Sequence, residues 1–582
     1  MDTASKVNAL KLEGNDSIKQ GKYTAAYKQY TEAINICTDS KVLAILYSNR
    51  AAASLNLKDY LDAISDSQQA TNADPTFVKA YTRTGTAADA INMWSISSRA
   101  WGTAAELTPD PVLKADYEAK AKASDDARTK QEDKISQGDY HYRMPSHRAQ
   151  QIVPWIKARE LFQANQLPYE SSGHVIIQAY LEYEEAVSNL KKVRVKVENG
   201  QEMIMLAGKV LEPLTNAILG DDRVFHIDFP EFFDNLRRQT VIEVQASNGW
   251  TDSGPKELMK EVPERLQNSS WDLVRPALAM TIRAWIWRAF LESKMGMGTS
   301  ADEFYKRVIE IIDWGRSTYA HVPKEERGAI FEATIVRSVR SLRLSNLLGL
   351  FRAGLVGPGC VYTLDDIEQL ASEIKRETEA SERPGTFNGR GFFGFWTYPL
   401  AEAISALGFV HMQRGLDHAL RSENIEDEEA KEAALLDAMK EFDQSARLYI
   451  KSAETYPPDD ESSLYMLCIA LEARLRGHAP LRLTVPLARR VRDAVPKVMK
   501  IWEATINSSE QTKAKYEEAA EFLKQCERQI AKGSWKLDDC LGLAHYDVHP
   551  STWARKRASQ DEDELDEDEL AEELEKKVNI ES

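Results

Sequence analysis

Small and apolar residues recur in register over residues 7–110. Counted from Val7, Gly14 takes the eighth place, Ala26 the twentieth, Tyr30 the twenty-fourth and Ala33 the twenty-seventh. Counted from Ala44, Ala51, Ala63 and Ala70 take the eighth, twentieth and twenty-seventh places, and the unit closes on Pro75. Counted from Val78, Gly85, Trp101 and Ala104 take the eighth, twenty-fourth and twenty-seventh places, and the unit closes on Pro109. The second and third units start 34 residues apart, and the first linker, around Cys37-Thr38-Asp39-Ser40, is three residues longer. Each unit has room for two antiparallel helices that approach closely where the small residues cross. None can bury its apolar side alone, so the units must stack.

Beyond the third unit, Asp110 suits a helix N-cap and Pro111 the first helical position. The helix they open is Ala-, Lys- and Asp-rich and is expected to cap the stack. Residues 131–149 read as a linker. From Gln150 onward the apolar spacing is again helical, as in Phe304, Val308, Ile309, Ile311 and Ile312. It predicts helices over 151–165, 173–192, 199–218, 230–245, 271–293, 301–319, 327–353, 364–380, 399–415, 427–455, 461–476, 484–507 and 510–531. Only 223–229 and 241–244 are patterned for strands. Gly408 followed by Tyr449 and Pro457, with a long insertion between, follows the order of the N-terminal units. Residues 150–545 are therefore expected to form a second helical-repeat block that folds apart from the first.

A period near 34 with small residues at helix crossings resembles the tetratricopeptide (TPR) repeat. The polar residues narrow the resemblance. Lys11 and Asn15, Asn49, and Lys79 and Arg83 lie on the first helices of the three units. Lys11 to Asn15 and Lys79 to Arg83 are i,i+4 pairs, each sharing one helix face. This set, with the segments Lys11-Leu-Glu-Gly-Asn15 and Leu46-Tyr-Ser-Asn-Arg50, resembles the carboxylate-clamp TPR co-chaperone family (the Hop and small glutamine-rich TPR protein type). The resemblance implies a concave groove in which Lys11, Asn15, Asn49, Lys79 and Arg83 grip a peptide's C-terminal Asp. It implies as partners the cytosolic heat-shock chaperones of the seventy- and ninety-kilodalton classes, whose tails end in Glu-Glu-Val-Asp. The resemblance covers less than a quarter of the chain, and 150–545 resembles no family.

The chain has 582 residues, 43% of them hydrophobic, with a formal net charge of -17. That charge argues against general nucleic-acid binding. Residues 561–575 hold eleven acidic side chains and no basic one. They read as a disordered, solubilising tail, with a basic protein partner or docking into the clamp as the other readings. Five cysteines lie scattered without pairing, as in a reducing compartment. No signal peptide or membrane span is expected. The cytosol follows, with the nucleus not distinguished from it by the short Arg555-Lys-Arg557 run.

Gly389-Arg-Gly391-Phe-Phe-Gly394 matches a dinucleotide fingerprint but follows no strand. Cys540, His545, Asp547 and His549 lack the paired spacing of a structural zinc site. No enzymatic activity, metal or cofactor is expected. The expected fold is all-α: a three-repeat TPR domain with its capping helix (1–130), a linker (131–149), a helical-repeat block (150–545) and an acidic tail (546–582). The expected function is an adaptor that captures a chaperone tail and brings an unknown protein partner through 150–545. The alternative is a TPR scaffold that assembles a complex without chaperones.

Overall fold

The computed structural model describes residues 2–137, 153–198, 201–227, 229–250, 254–357, 360, 362–381 and 393–541. The described fold is helical apart from one antiparallel hairpin. Six antiparallel helices form the three repeats: α1 (Thr3–Lys19), α2 (Tyr23–Ile36), α3 (Ser40–Leu57), α4 (Tyr60–Ala73), α5 (Val78–Ala90) and α6 (Trp94–Leu107), and α7 (Pro111–Gln137) follows on α6. Asp110 caps α7, its carboxylate accepting from the Val112 amide at 2.8 Å, and Pro111 takes the first helical place.

The repeat register has a direct packing cause. A Cβ at Gly14 would lie 2.5 Å from the Tyr30 ring, and one at Gly85 would lie 2.5 Å from the Trp101 ring. The second unit fits Ala51 and Ser67, both fully buried, at the matching places. Where one helix offers no side chain, its partner fills the crossing with an aromatic ring. Where it offers a methyl, the partner is small. The turn inside each unit needs a left-handed residue, supplied by Gly21 (φ 71), Lys58 (φ 63) and Asn92 (φ 54).

The chain divides into two compact units that do not follow chain order: Met1–Arg143 with Glu184–Thr215 and His226–Leu350, and Met144–Tyr183 with Asn216–Phe225 and Phe351–Ser582. In the first, the repeats share a core with later helices. Lys256, at the start of the helix Pro255–Asn268, sits 2.7 Å from Asp59 and 3.1 Å from Asp62. Arg307, on the helix Gly298–Thr318, pairs with Asp59 as well. Ser300 donates to the Ile91 carbonyl at 2.9 Å. Packing of the N-terminal repeats thus continues into helices that follow a hundred residues and more later.

The hairpin β1 (Arg194–Glu198) and β2 (Gln201–Met205) pairs Val195 with Ile204 and Lys196 with Met203. It replaces the first part of the helix expected over 199–218, which begins only at Leu211. Among the described residues neither expected strand forms: residues 222–224 make a short 3-10 turn, and 241–244 lie inside the helix Phe232–Ala246. The helix Pro255–Asn268 was not expected.

In the second unit, the helices Tyr398–Ser422 and Glu428–Thr455 repeat the N-terminal packing device. Gly408 abuts the Tyr449 ring, Gly415 abuts Phe442, and Ser445 donates to the Gly408 carbonyl at 2.8 Å. The unit's centre is ionic. The Arg223 guanidinium binds Asp221 at 2.7 Å, Asp460 at 3.0 Å and Glu461 at 3.2 Å, and lies 4.0 Å from the Trp502 ring centre.

Candidate functional site

Helices α1, α3 and α5 lie side by side. Their shared face carries the expected residues: Lys11 and Asn15 on α1, Asn49 on α3, and Lys79 and Arg83 on α5. Asn15 and Asn49 meet directly, the Asn49 amide donating to Asn15 Oδ1 at 3.2 Å. Arg83 reaches α3 through Nη1, which donates to Ser48 Oγ beside Asn49. Lys11 and Lys79 stand four residues before Asn15 and Arg83 on the same helix faces. Lys79 is exposed, and among the described residues neither lysine has an ion-pair partner.

One residue organises this face without having been expected there. Tyr30, from α2, donates its hydroxyl to Asn15 Oδ1 at 2.8 Å. With Asn49 it fills both acceptor positions of that oxygen. These two bonds fix the orientation of the Asn15 side chain and leave its amide nitrogen as a donor. Burial pushes the Tyr30 hydroxyl up to about 12, with Arg83 pulling the other way, so it is a neutral donor at physiological pH. Burial also lowers Arg83, partly opposed by Tyr30, yet a guanidinium so shifted still carries its charge. The groove thus presents amide, ammonium and guanidinium donors. A carboxylate, which only accepts, is the chemical complement.

Asn49 has a neighbour with the opposite orientation. Arg50 is buried, paired with Asp66 at 2.6 Å and donating to Thr31 at 3.0 Å. Asp66 and Thr31 belong to α4 and α2, the second helices of their repeats. Successive residues on a helix are about 100° apart, so α3 serves the groove with Asn49 and the core with Arg50. The ionic contacts to Lys256 and Arg307 start from Asp59 and Asp62, at the α4 end of that second layer. Burial pushes Asp62 up to about 6 against the pull of Lys256 and Arg307. Burial acts to lower Lys256, but Asp62 and Asp59 hold it above the ordinary lysine range.

Residues 389–392 of the glycine-rich run lie outside the described residues, as do His545, Asp547 and His549, the linker residues 138–149 and the acidic tail. Among the described residues no group of three or more His, Cys, Asp or Glu is placed to hold a metal ion, and no helix is long and apolar enough to cross a membrane.

No family model matches the chain. The small glutamine-rich tetratricopeptide repeat-containing protein 2 of Saccharomyces cerevisiae is 33% identical over 124 residues, 21% of this chain and 35% of that protein. The DnaJ homolog subfamily C member 7 homolog of Schizosaccharomyces pombe is 38% identical over 103 residues, 18% of this chain and 22% of that protein. The chain therefore spans 35% or less of the length of these curated relatives. Among solved structures, the Hsp90 co-chaperone Cns1 from Saccharomyces cerevisiae aligns over 38% of this chain and 72% of that one, at 19% identity and a TM-score of 0.21, which carries no further argument. The N-terminal region resembles the TPR co-chaperones.

Proposed function

We propose that the N-terminal repeats form a carboxylate clamp for the free C-terminus of a partner peptide ending in Asp, of the Glu-Glu-Val-Asp type carried by cytosolic heat-shock chaperones, and that the chain is an adaptor for such chaperones. The observation that supports this most is the pre-set Asn15–Asn49–Tyr30 cluster flanked by two lysines without ion-pair partners among the described residues. A C-terminal Asp presents two carboxylates, one at the chain end and one on its side chain. Lys11, Asn15 and Asn49 meet the first, Lys79 meets the second, and Arg83 supports the adjoining peptide group. The later helices of the chain would then bring the second partner.

Hydrogen bonds to charged groups contribute about 1.5–3 kcal/mol each, offset by the ordering of a flexible peptide. A dissociation constant on the order of micromolar, about 8 kcal/mol, follows. The test is titration calorimetry of the full chain with a free Glu-Glu-Val-Asp peptide and with the same peptide amidated. Replacing Lys79 or Arg83 by Ala should weaken binding about tenfold, as should amidation, with helix content unchanged. Equal binding of the free and amidated peptides removes the clamp and leaves a TPR scaffold without chaperone capture.

A further inference from the structure

The helix Leu481–Ser508 buries Leu481, Val485, Ala488, Val491, Val498 and Trp502 against its neighbours in the second unit. Its open side is basic. Arg482, Arg490, Arg492, Lys497 and Lys500 are exposed along it, against only Asp493 and Glu503. Arg482 pairs with Asp538, Arg490 with Glu454 at 3.2 Å, and Arg492 with the adjacent Asp493 at 3.0 Å. Lys497 and Lys500 have no ion-pair partner among the described residues.

The last described residues return to this helix. The Arg482 amide donates to the Leu537 carbonyl at 2.7 Å, the Leu481 amide donates to Asp539 at 3.0 Å, and Cys540 bridges to Pro480. The described chain therefore ends at Leu541 beside the first turn of the basic helix. Nineteen residues, 542–560, separate that point from the acidic block 561–575.

We propose that the acidic segment 561–575 lies along the open side of the helix Leu481–Ser508, with Lys497 and Lys500 as its main partners. Charge complementarity is the first argument. Eleven carboxylates meet a face on which the two lysines can be neutralised without breaking an existing pair. Reach is the second. Were the 19 residues 542–560 to behave as an unstructured chain, their root-mean-square span would be about 24 Å or somewhat more. Lys497 and Lys500 lie 16 and 19 residues beyond Leu481, about 24–29 Å along the helix axis. A tether whose span matches the distance gives the highest effective concentration, on the order of millimolar. The contact is a sum of weak, exposed pairs and is therefore salt-sensitive. A basic surface that draws the tail away would uncover the cations of this helix. This inference is independent of the clamp.

Zero-length carbodiimide cross-linking of the full chain tests it, using mixed light- and heavy-isotope preparations to separate links within a chain from links between chains. At low salt, links from Lys497 or Lys500 to carboxylates of 561–575 should form within one chain. Their yield should fall about tenfold in roughly 1 M salt, where the Debye length is about 3 Å. Tail carboxylates linked only to other lysines, such as Lys11 or Lys79, overturn the proposal. So do links from Lys497 and Lys500 that form only between chains, links indifferent to salt, or no links from these two lysines.

Discussion

Tyr30 serves two purposes with one side chain. Its ring occupies the space that Gly14 leaves open, and its hydroxyl fixes Asn15. The two roles can be separated. Tyr30→Phe keeps the ring and should cost about 1 kcal/mol of stability for the lost hydrogen bond. It should also weaken the Glu-Glu-Val-Asp peptide about three- to tenfold, because Asn15 must then be ordered by the ligand. Gly14→Ala should instead act through overpacking, at about 1–3 kcal/mol. Denaturant melts beside calorimetry distinguish the two, and an unchanged affinity for Tyr30→Phe would contradict the pre-set groove. The placement of the five proposed clamp residues on the first helices of the three repeats was legible in the sequence because they sit at fixed places of a repeat. Tyr30 and Ser48 were not, because they act through Asn15 and Arg83, and the pattern gives Tyr30 an obvious packing role.

A second residue gives the molecule a pH dependence. Burial pushes Glu461 up to about 7, with Arg223 pulling down and Asp460 adding to the rise. Its carboxyl binds a proton more tightly in the folded chain than in the unfolded one, so protonation favours folding. That contribution is complete below the unfolded value, 4.5, and is lost as pH rises through about 7. At full effect it is on the order of 3 kcal/mol. Wild-type protein should lose stability between pH 6 and 8 more steeply than Glu461→Gln, by urea melts at both pH values. Parallel slopes would mean that Glu461 does not titrate in this window.

At the scale of elements, the repeat period fixes even the turns. Gly21, Lys58 and Asn92 occupy equivalent left-handed positions, and a non-glycine residue there carries a strain of about 1–2 kcal/mol. Lys58→Gly should therefore stabilise by roughly 0.5–1 kcal/mol after the entropy of a freer unfolded chain is subtracted, read as a higher midpoint in urea. Outside the repeats, element type was legible where amphipathic runs were long, as over 428–455 and 461–476. The hairpin falls where a helix is expected, although Asn199-Gly200 stands between alternating runs, a strong hairpin signal. Its Val197, Met203 and Met205 are exposed, so no buried stripe marked it. The helix Pro255–Asn268 was missed because Pro263 lies inside it and reads as a breaker.

At the scale of the molecule, what the sequence concealed is that the repeats continue into partners far along the chain. No local pattern announces that Asp59 and Asp62 meet Lys256 and Arg307, because each reads as an ordinary surface charge. Yet Lys256 binds both aspartates and lies 4.3 Å from the Tyr27 ring centre. Its own amide donates to Asp62 at 3.1 Å. Removing one partner of a buried ion pair leaves the other charge uncompensated, at a cost of about 3–5 kcal/mol. Lys256 keeps partial solvent access, which screens the stranded charge, so Lys256→Ala should cost about 2–3 kcal/mol, at or below the floor of that range. Adding Asp62→Asn should recover part of the loss, because the stranded charge disappears. Peptide affinity should stay within about twofold throughout, since α3 directs Asn49 to the groove and Arg50 to this ionic layer, and substitutions without shared partners act independently. Thermal melts and calorimetry on the same three proteins decide the matter. A fall in affinity that tracks the loss of stability would show that the groove depends on the helices docked behind it.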